Sequence, residues 1–213
     1  MRHTLPALAL IASTLAFTPA QAGGPARGVV ELFTSQGCSS CPPADASLSN
    51  IIDQGGMIAL AWHVDYWDYL GWKDTFSSAS ATQRQADYAR HIGGGSYTPE
   101  FVVNGAAGSS SSSIVKSGGL AVSVSVEGGQ VKVAAGDGEA NVFLVNFKNS
   151  ETVPIHRGEN AGHSVTYRHV VTGMTKLASW NGSALNLNVG KGGSCAVIVQ
   201  RPGQGEIIGA AMC

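Results

Sequence analysis

The sequence predicts an α/β domain followed by a mostly antiparallel β-sandwich or barrel-like domain. Two apolar, strand-like runs with a helix-patterned segment between them occupy residues 29 to 64. A five-serine run, Ser109 to Ser113, then marks a change of composition. Beyond Leu120 the chain turns to short alternating strands punctuated by Gly-Gly, Asp-Gly, Asn-Gly and Pro-Gly. These signals divide the chain into residues 1–22, 23–108, 109–119 and 120–213, read as leader, α/β domain, linker and β-rich domain.

Arg2 precedes an apolar run from Leu5 to Phe17, and Ala20-Gln21-Ala22 has the small-x-small form of a cleavage site. A signal peptide ending at Ala22 is expected, with the mature chain periplasmic or secreted. The apolar run is shorter than the ~20 residues that span a bilayer, and no later segment is long and apolar enough to do so. Charged residues make up 13% of the chain and the formal net charge is -1, which leaves no basic face for nucleic acid or anionic lipid. Four cysteines fit an oxidising compartment.

Val29 to Phe33 is β-branched, apolar and aromatic, and ends in the polar turn Thr34-Ser35-Gln36-Gly37. Ala44, Leu48, Ile51 and Ile52 recur at helical spacing until Gly55-Gly56 stops the pattern. Met57 to Val64 reads as a strand buried on both faces, so the unit predicts adjacent parallel strands with a right-handed crossover. A second helix is expected over 80–92, closed by Gly93-Gly94-Gly95, then a strand at Phe101 to Val103 turned by Asn104-Gly105. Between the β-rich strands, Glu159, Asn160 and His163 read as a solvated hairpin loop, the alternative being a loop that reaches the first domain.

Cys38 and Cys41 stand three residues apart where the first strand meets the first helix, close enough for reversible pairing. Unpaired amides at a helix start favour a thiolate. Cys38, nearer the loop, is the expected attacking sulfur, and the more shielded Cys41 the resolving one. Pro42-Pro43 holds the pair at the helix start, where a missing amide proton costs nothing. A staple closing so short a loop would stabilise little. A four-ligand metal site lacks a second pair at suitable spacing, leaving only single histidines such as His63 and His91, so no metal is assigned.

The strand-CxxC-helix-strand unit followed by Tyr97-Thr98-Pro99-Glu100-Phe101 resembles the thioredoxin superfamily. The resemblance implies a cis Thr98–Pro99 bond, with Pro99 facing Cys38 and helping to bind an extended partner backbone. FTSQGCSSCPPAD, WHVDYWDYLGW, YTPEFVVNG and GENAGHSVTYRHVV together resemble the secreted bacterial thioredoxin-like family called domain of unknown function 1223, over nearly the whole mature chain. That family implies a thioredoxin-like fold with an appended β-rich part and supplies no substrate. Thioredoxins carry a buried carboxylate six residues before the first cysteine; here that position is Leu32, and strand alternation turns the neighbouring Glu31 to the other face.

The expected activity is therefore exported thiol–disulfide exchange through Cys38 and Cys41. Periplasmic protein thiols or disulfides and a redox partner would be its substrates, with the Cys38–Cys41 pair in place of an organic cofactor. The alternatives are a binding module with an idle disulfide, or metal handling through Cys38, Cys41 and His63. His63 and Asp65, at the strand end facing the cysteine loop, read either as a proton-handling pair or as a hydrogen-bonded pin. Trp62, Tyr66, Trp67, Tyr69 and Trp72 read mainly as packing residues, some able to line a peptide groove. Cys195 and Cys213 pair structurally only if the C-terminal tail lies beside the Cys195 strand, which spacing leaves open.

Overall fold

The computed structural model describes residues 26–112, 119–190 and 192–213. The leader expected at 1–22 and part of the linker expected at 109–119 lie outside the described residues.

Strand β1, Val29–Thr34, sends Val30 and Leu32 to one face and Val29, Glu31 and Phe33 to the other, as pleating requires. Helix α1, Pro42–Gln54, covers the first face with Ala44, Leu48 and Ile51. It ends at Gly55, whose φ of 68° suits a residue without a Cβ. Strand β2, Ile58–His63, then runs parallel to β1, in register from Val29↔Ile58 to Thr34↔His63. Helix α2, Ala79–Ile92, is capped by the Ser78 side chain, which accepts from the Ala81 amide, and covers the second face with Ala81 and Tyr88. Strand β3, Glu100–Val103, pairs antiparallel with β1 and turns through Asn104 and Gly105, with φ 51° and 69°, into β4, Ala107–Ser109.

The remaining strands depart from the expected separate sandwich or barrel. Strands β7, Ala140–Pro154, and β8, Ser164–Trp180, form a long hairpin, and β10, Ser194–Gln200, and β11, Ile207–Met212, extend it. All four join the α/β strands in one eight-stranded sheet, in the order β11-β10-β7-β8-β2-β1-β3-β4. The junction is β8 against β2, at Ala61↔Val170, and it covers what would otherwise be an open edge of a buried, mostly apolar strand. Among the described residues, only β5, Val124–Glu127, β6, Gln130–Val133, and β9, Leu185–Asn188, make a separate antiparallel sheet. Its Val124, Val131 and Val133 pack on Val142, Val197, Val199 and Ile208 of the large sheet. The fold is thus mixed α/β, with one large sheet and a second antiparallel sheet.

The hairpin positions the site. Its outer half carries Val153, Tyr167 and Val170, which pack with Trp72 and Phe76 of the β2–α2 connection. Its tip is thereby held beside the loop between β1 and α1.

Candidate functional site

Residues 35–41 leave β1 in tight turns. The Cys38 amide donates to Ser35 O and the Cys41 amide to Cys38 O, both at 3.2 Å. Cys41 is the first-turn cap of α1, its carbonyl accepting from Ala44 and Asp45 amides at 2.8 and 3.1 Å. Pro42 and Pro43 occupy the first helical positions, whose amides have no intrahelical partner in any helix. Cys38 and Cys41 form a disulfide, with Cα atoms 5.4 Å apart. Both residues are 0% exposed, so the greater exposure expected of Cys38 is absent.

The β7–β8 tip bonds to the main chain of this loop. Asn160 Nδ2 donates to Gln36 O and to Cys38 O, each at 2.9 Å, and the Ser39 amide donates to Glu159 Oε2 at 3.3 Å. Glu159 and Asn160 therefore belong to the site, correcting the solvated-loop reading. His163 stays exposed and lines, with Ser39, Pro42, Asp45, Glu159 and Thr166, a cavity of about 610 Å³ between α1 and the hairpin.

The β2–α2 connection braces the same loop. Trp67 Nε1 donates to Thr98 Oγ1 at 2.8 Å, and a Cβ on Gly37 would lie 3.1 Å from Trp67 Cβ, so Trp67 bridges the cysteine loop and the Thr98–Pro99 segment. The Thr98–Pro99 bond is cis. Gln85 Nε2 fixes that segment to α2 by donating to Tyr97 O and Glu100 Oε2, both at 2.7 Å. Trp72 Nε1 donates to Gln36 Oε1 at 2.9 Å, while Tyr69 is 81% exposed and Trp62 is buried against Phe33. The aromatic cluster is thus mostly bracing and core.

His63 is buried, and its partner is not Asp65. His63 Nδ1 lies 2.7 Å from Asp74 Oδ2, which also accepts from the Gln36 amide at 2.8 Å. Asp65 instead engages Thr82: its amide donates to Thr82 Oγ1 at 3.0 Å, and its Oδ1 accepts from that hydroxyl at 2.5 Å. Two residues past His63 and beyond the last β2 pair, Asp65 has turned toward α2. Asp74 joins the histidine to the cysteine loop, a role that its place in an irregular connection gives no sequence signal for.

The other residue missed by sequence reasoning is Asp45. It follows Cys41 by four positions, hence shares its helix face, and it is 4% exposed. Among the described residues, neither of its carboxylate oxygens has a hydrogen-bond partner, and the same holds for Thr34 Oγ1 and His63 Nε2. Burial pushes the Asp45 carboxyl up to about 7, with His63 and Thr34 pulling it back only in part. The Cys41-x-x-x-Asp45 spacing is the signal that could have found it.

Glu31 lies on the opposite side of the sheet, as alternation requires. It takes Arg84 Nε at 2.6 Å and Arg84 Nη2 at 2.9 Å and accepts from the Tyr88 hydroxyl. Burial alone would lower the Arg84 guanidinium, but Glu31 and Tyr88 hold it above its usual range. Glu31 is engaged in this buried network under α2.

Cys195 and Cys213 form a second disulfide between β10 and the end of the chain. Their strands pair, and the Cys213 amide donates to Cys195 O at 2.9 Å, which sets the two side chains together. Among the described residues no group of three or more His, Cys, Asp or Glu could hold a metal ion, and no helix is long and apolar enough to cross a membrane.

Residues 29–200 match the family described as "Protein of unknown function (DUF1223)". The chain belongs to the DUF1223 family. Protein AGR_C_4864 from Agrobacterium tumefaciens, a solved structure, is 34% identical with a TM-score of 0.74, over 88% of this chain and 93% of that one. HBP35 of Porphyromonas gingivalis shares the fold at 13% identity and a TM-score of 0.61, over 91% of this chain and 76% of that one. No curated protein matches. The family description carries no activity, so what this DUF1223 member does rests on the chemistry of its own site.

Proposed function

We propose that the chain is an exported thiol–disulfide oxidoreductase with a thioredoxin-like core, acting through Cys38 and Cys41. The observation that carries this reading is the Cys38–Cys41 disulfide at the α1 N-terminus with the buried Asp45 one turn behind Cys41. A helix start stabilises a thiolate, and a carboxyl that titrates near 7 can both take and return a proton at neutral pH. The first 22 residues and the two disulfides support an oxidising, extracytoplasmic location.

In the reducing direction the Cys38 thiolate attacks a partner disulfide. A Cys38–partner disulfide forms, and one partner sulfur leaves as a thiolate that takes a proton from water. The Cys41 thiol then gives its proton to Asp45 and attacks Cys38 Sγ. The Cys38–Cys41 disulfide forms, the second partner thiolate leaves, and the partner has gained the two electrons the dithiol has lost. Oxidation of a partner dithiol is the reverse sequence, and a dithiol or disulfide protein of the envelope closes either cycle. Pro99, tied to the cysteine loop through Thr98 and Trp67, would steady the partner chain. His63 is held by Asp74 at the end of β2, on the side of the cysteine loop.

The test is disulfide exchange with insulin or a model peptide across a range of redox buffers. Wild type should react, Cys38→Ser should not, and Cys41→Ser should accumulate mixed disulfides. An inert wild type in every buffer would overturn the proposal. One observation favours a second reading, a binding module with an idle structural disulfide: both cysteines are sealed from solvent. Equilibrium dialysis of the reduced protein against Cu(I) and Zn(II) separates metal handling from both.

A further inference from the structure

Thiol exchange at Cys38 requires access, and the element bonded to the Cys38 main chain has an unusual composition. Residues 156–164 of the β7–β8 tip are all exposed except Asn160, which is 6% exposed. The tip therefore rests on the cysteine loop by one buried polar plug and buries no apolar side chain there. It also holds its own shape: the Ile155 amide donates to His163 O and the Gly162 amide to Ile155 O, each at 2.8 Å. Lifting it would expose polar groups and leave its internal turns and the Val153, Tyr167 and Val170 cluster intact.

The groups it covers are main-chain groups in series. Gln36 O and Cys38 O accept from Asn160 Nδ2, and the Ser39 amide donates to the Glu159 carboxylate. Gln36 O and Cys38 O converge on one amide nitrogen, while the Ser39 amide, at the opposite edge of the Cys38–Ser39 peptide, meets a carboxylate; a partner polypeptide carries the amide donors and carbonyl acceptors that can take both places. The Glu159–Asn160 pair supplies that complement from side chains. A small disulfide lacks the length to satisfy all three groups while presenting a sulfur to Cys38.

We propose that Glu159–Asn160 is a built-in occupant of the main-chain groups Gln36 O, Cys38 O and Ser39 N, and that a partner polypeptide segment displaces it to reach Cys38. This rests on the oxidoreductase reading. It names the partner class: a disulfide within a segment that is extended or locally unfolded. The tip and the partner compete for the same three groups, so the tip sets the apparent affinity.

The experiment uses the full mature chain as wild type, Asn160→Ala and Asn160→Asp. Each oxidised protein is treated with limiting dithiothreitol, quenched with iodoacetamide and mapped at both disulfides. The second disulfide is the internal control, since it joins β10 to the residue after the edge strand β11, away from the tip, with Cys213 exposed. Loss of two hydrogen bonds should speed reduction of Cys38–Cys41 by about tenfold or more, with Cys195–Cys213 unchanged. The isosteric Asn160→Asp, which sets a carboxylate against two carbonyls, should do so even if Asn160→Ala folds poorly. Both variants should also lower KM for a disulfide-bonded extended peptide. Unchanged Cys38–Cys41 reduction in both variants, with wild-type exchange intact, overturns the occupant and leaves the oxidoreductase reading standing. Equal acceleration at both disulfides overturns it as general loosening. Faster reduction with no exchange on any peptide sinks the oxidoreductase reading, and the proposed partner with it.

Discussion

Asp45 provides a stability signature that can be read without any assay of function. Its carboxyl rises from an ordinary 3.8 to about 7 in the folded chain, with burial as the main cause. Between those values the folded state holds a proton that the unfolded chain has released, so stability falls as pH rises. Below pH 3.8 the group contributes nothing to the difference, and above about 7 the full cost is present. At about 1.36 kcal/mol per pH unit that cost is on the order of 4 kcal/mol. Asn has nearly the shape of the protonated acid and cannot ionise. Asn adds an N–H to place in the buried site, at a pH-independent cost of about 1–3 kcal/mol. The slope, then, is diagnostic and the offset is not. Urea unfolding of the oxidised wild type and Asp45→Asn from pH 4 to 8 should show the variant gaining on wild type by roughly 4 kcal/mol across that range. Parallel pH profiles would refute the assignment of a buried, partnerless carboxyl to this position.

The other predictions concern the supports of the site. Arg84→Met leaves the Glu31 carboxyl buried without its partner, which should cost about 3–5 kcal/mol by urea unfolding; adding Glu31→Gln should restore much of it. Gly158 has φ +77°, and a Cβ there would lie 3.1 Å from Trp72 Cβ, so Gly158→Ala should strain the tip by about 1–2 kcal/mol and speed dithiothreitol reduction of Cys38–Cys41. Ser78→Ala removes the side-chain cap of α2 and should lower stability by about 1 kcal/mol, leaving reduction of Cys38–Cys41 unaltered.

What could be read from sequence was what local pattern determines. The β1–α1–β2 unit follows from an apolar run, a helical repeat and a second apolar run, and the Asn104-Gly105 turn from two residues that tolerate positive φ. The face of Glu31 followed from alternation alone. The union of the sheets was hidden because it depends on the single pairing Ala61↔Val170 between strands more than a hundred residues apart. Asn160 was hidden for the same reason, since an asparagine in a polar, glycine-containing loop is ordinarily solvated. Asp45 escaped because an acidic residue in a first helical turn has a surface explanation in the helix dipole. Asp74 was eclipsed by Asp65, which is closer to His63 in sequence but faces α2.

The placement of Asp45 decides which sulfur a proton acceptor can serve. In this chain the strand position that would face α1 is taken by Leu32, packed with Ala44 and Leu48, while Glu31 is committed to Arg84 on the far side. A carboxylate on α1 itself must obey helix geometry: Asp45 stands four residues from Cys41 and seven from Cys38. Four residues put it beneath Cys41 on the buried face. Cys38 instead has the loop, with Ser40 Oγ 3.4 Å from its sulfur. The two cysteines are thus equal in burial but unequal in proton chemistry. Under the proposed exchange, that inequality, rather than exposure, would assign attack to Cys38 and resolution to Cys41. A cysteine alkylation profile of the reduced protein tests it: Asp45→Asn should shift the pH dependence of Cys41 and leave that of Cys38 in place, whereas equal shifts at both sulfurs would remove the basis for the assignment.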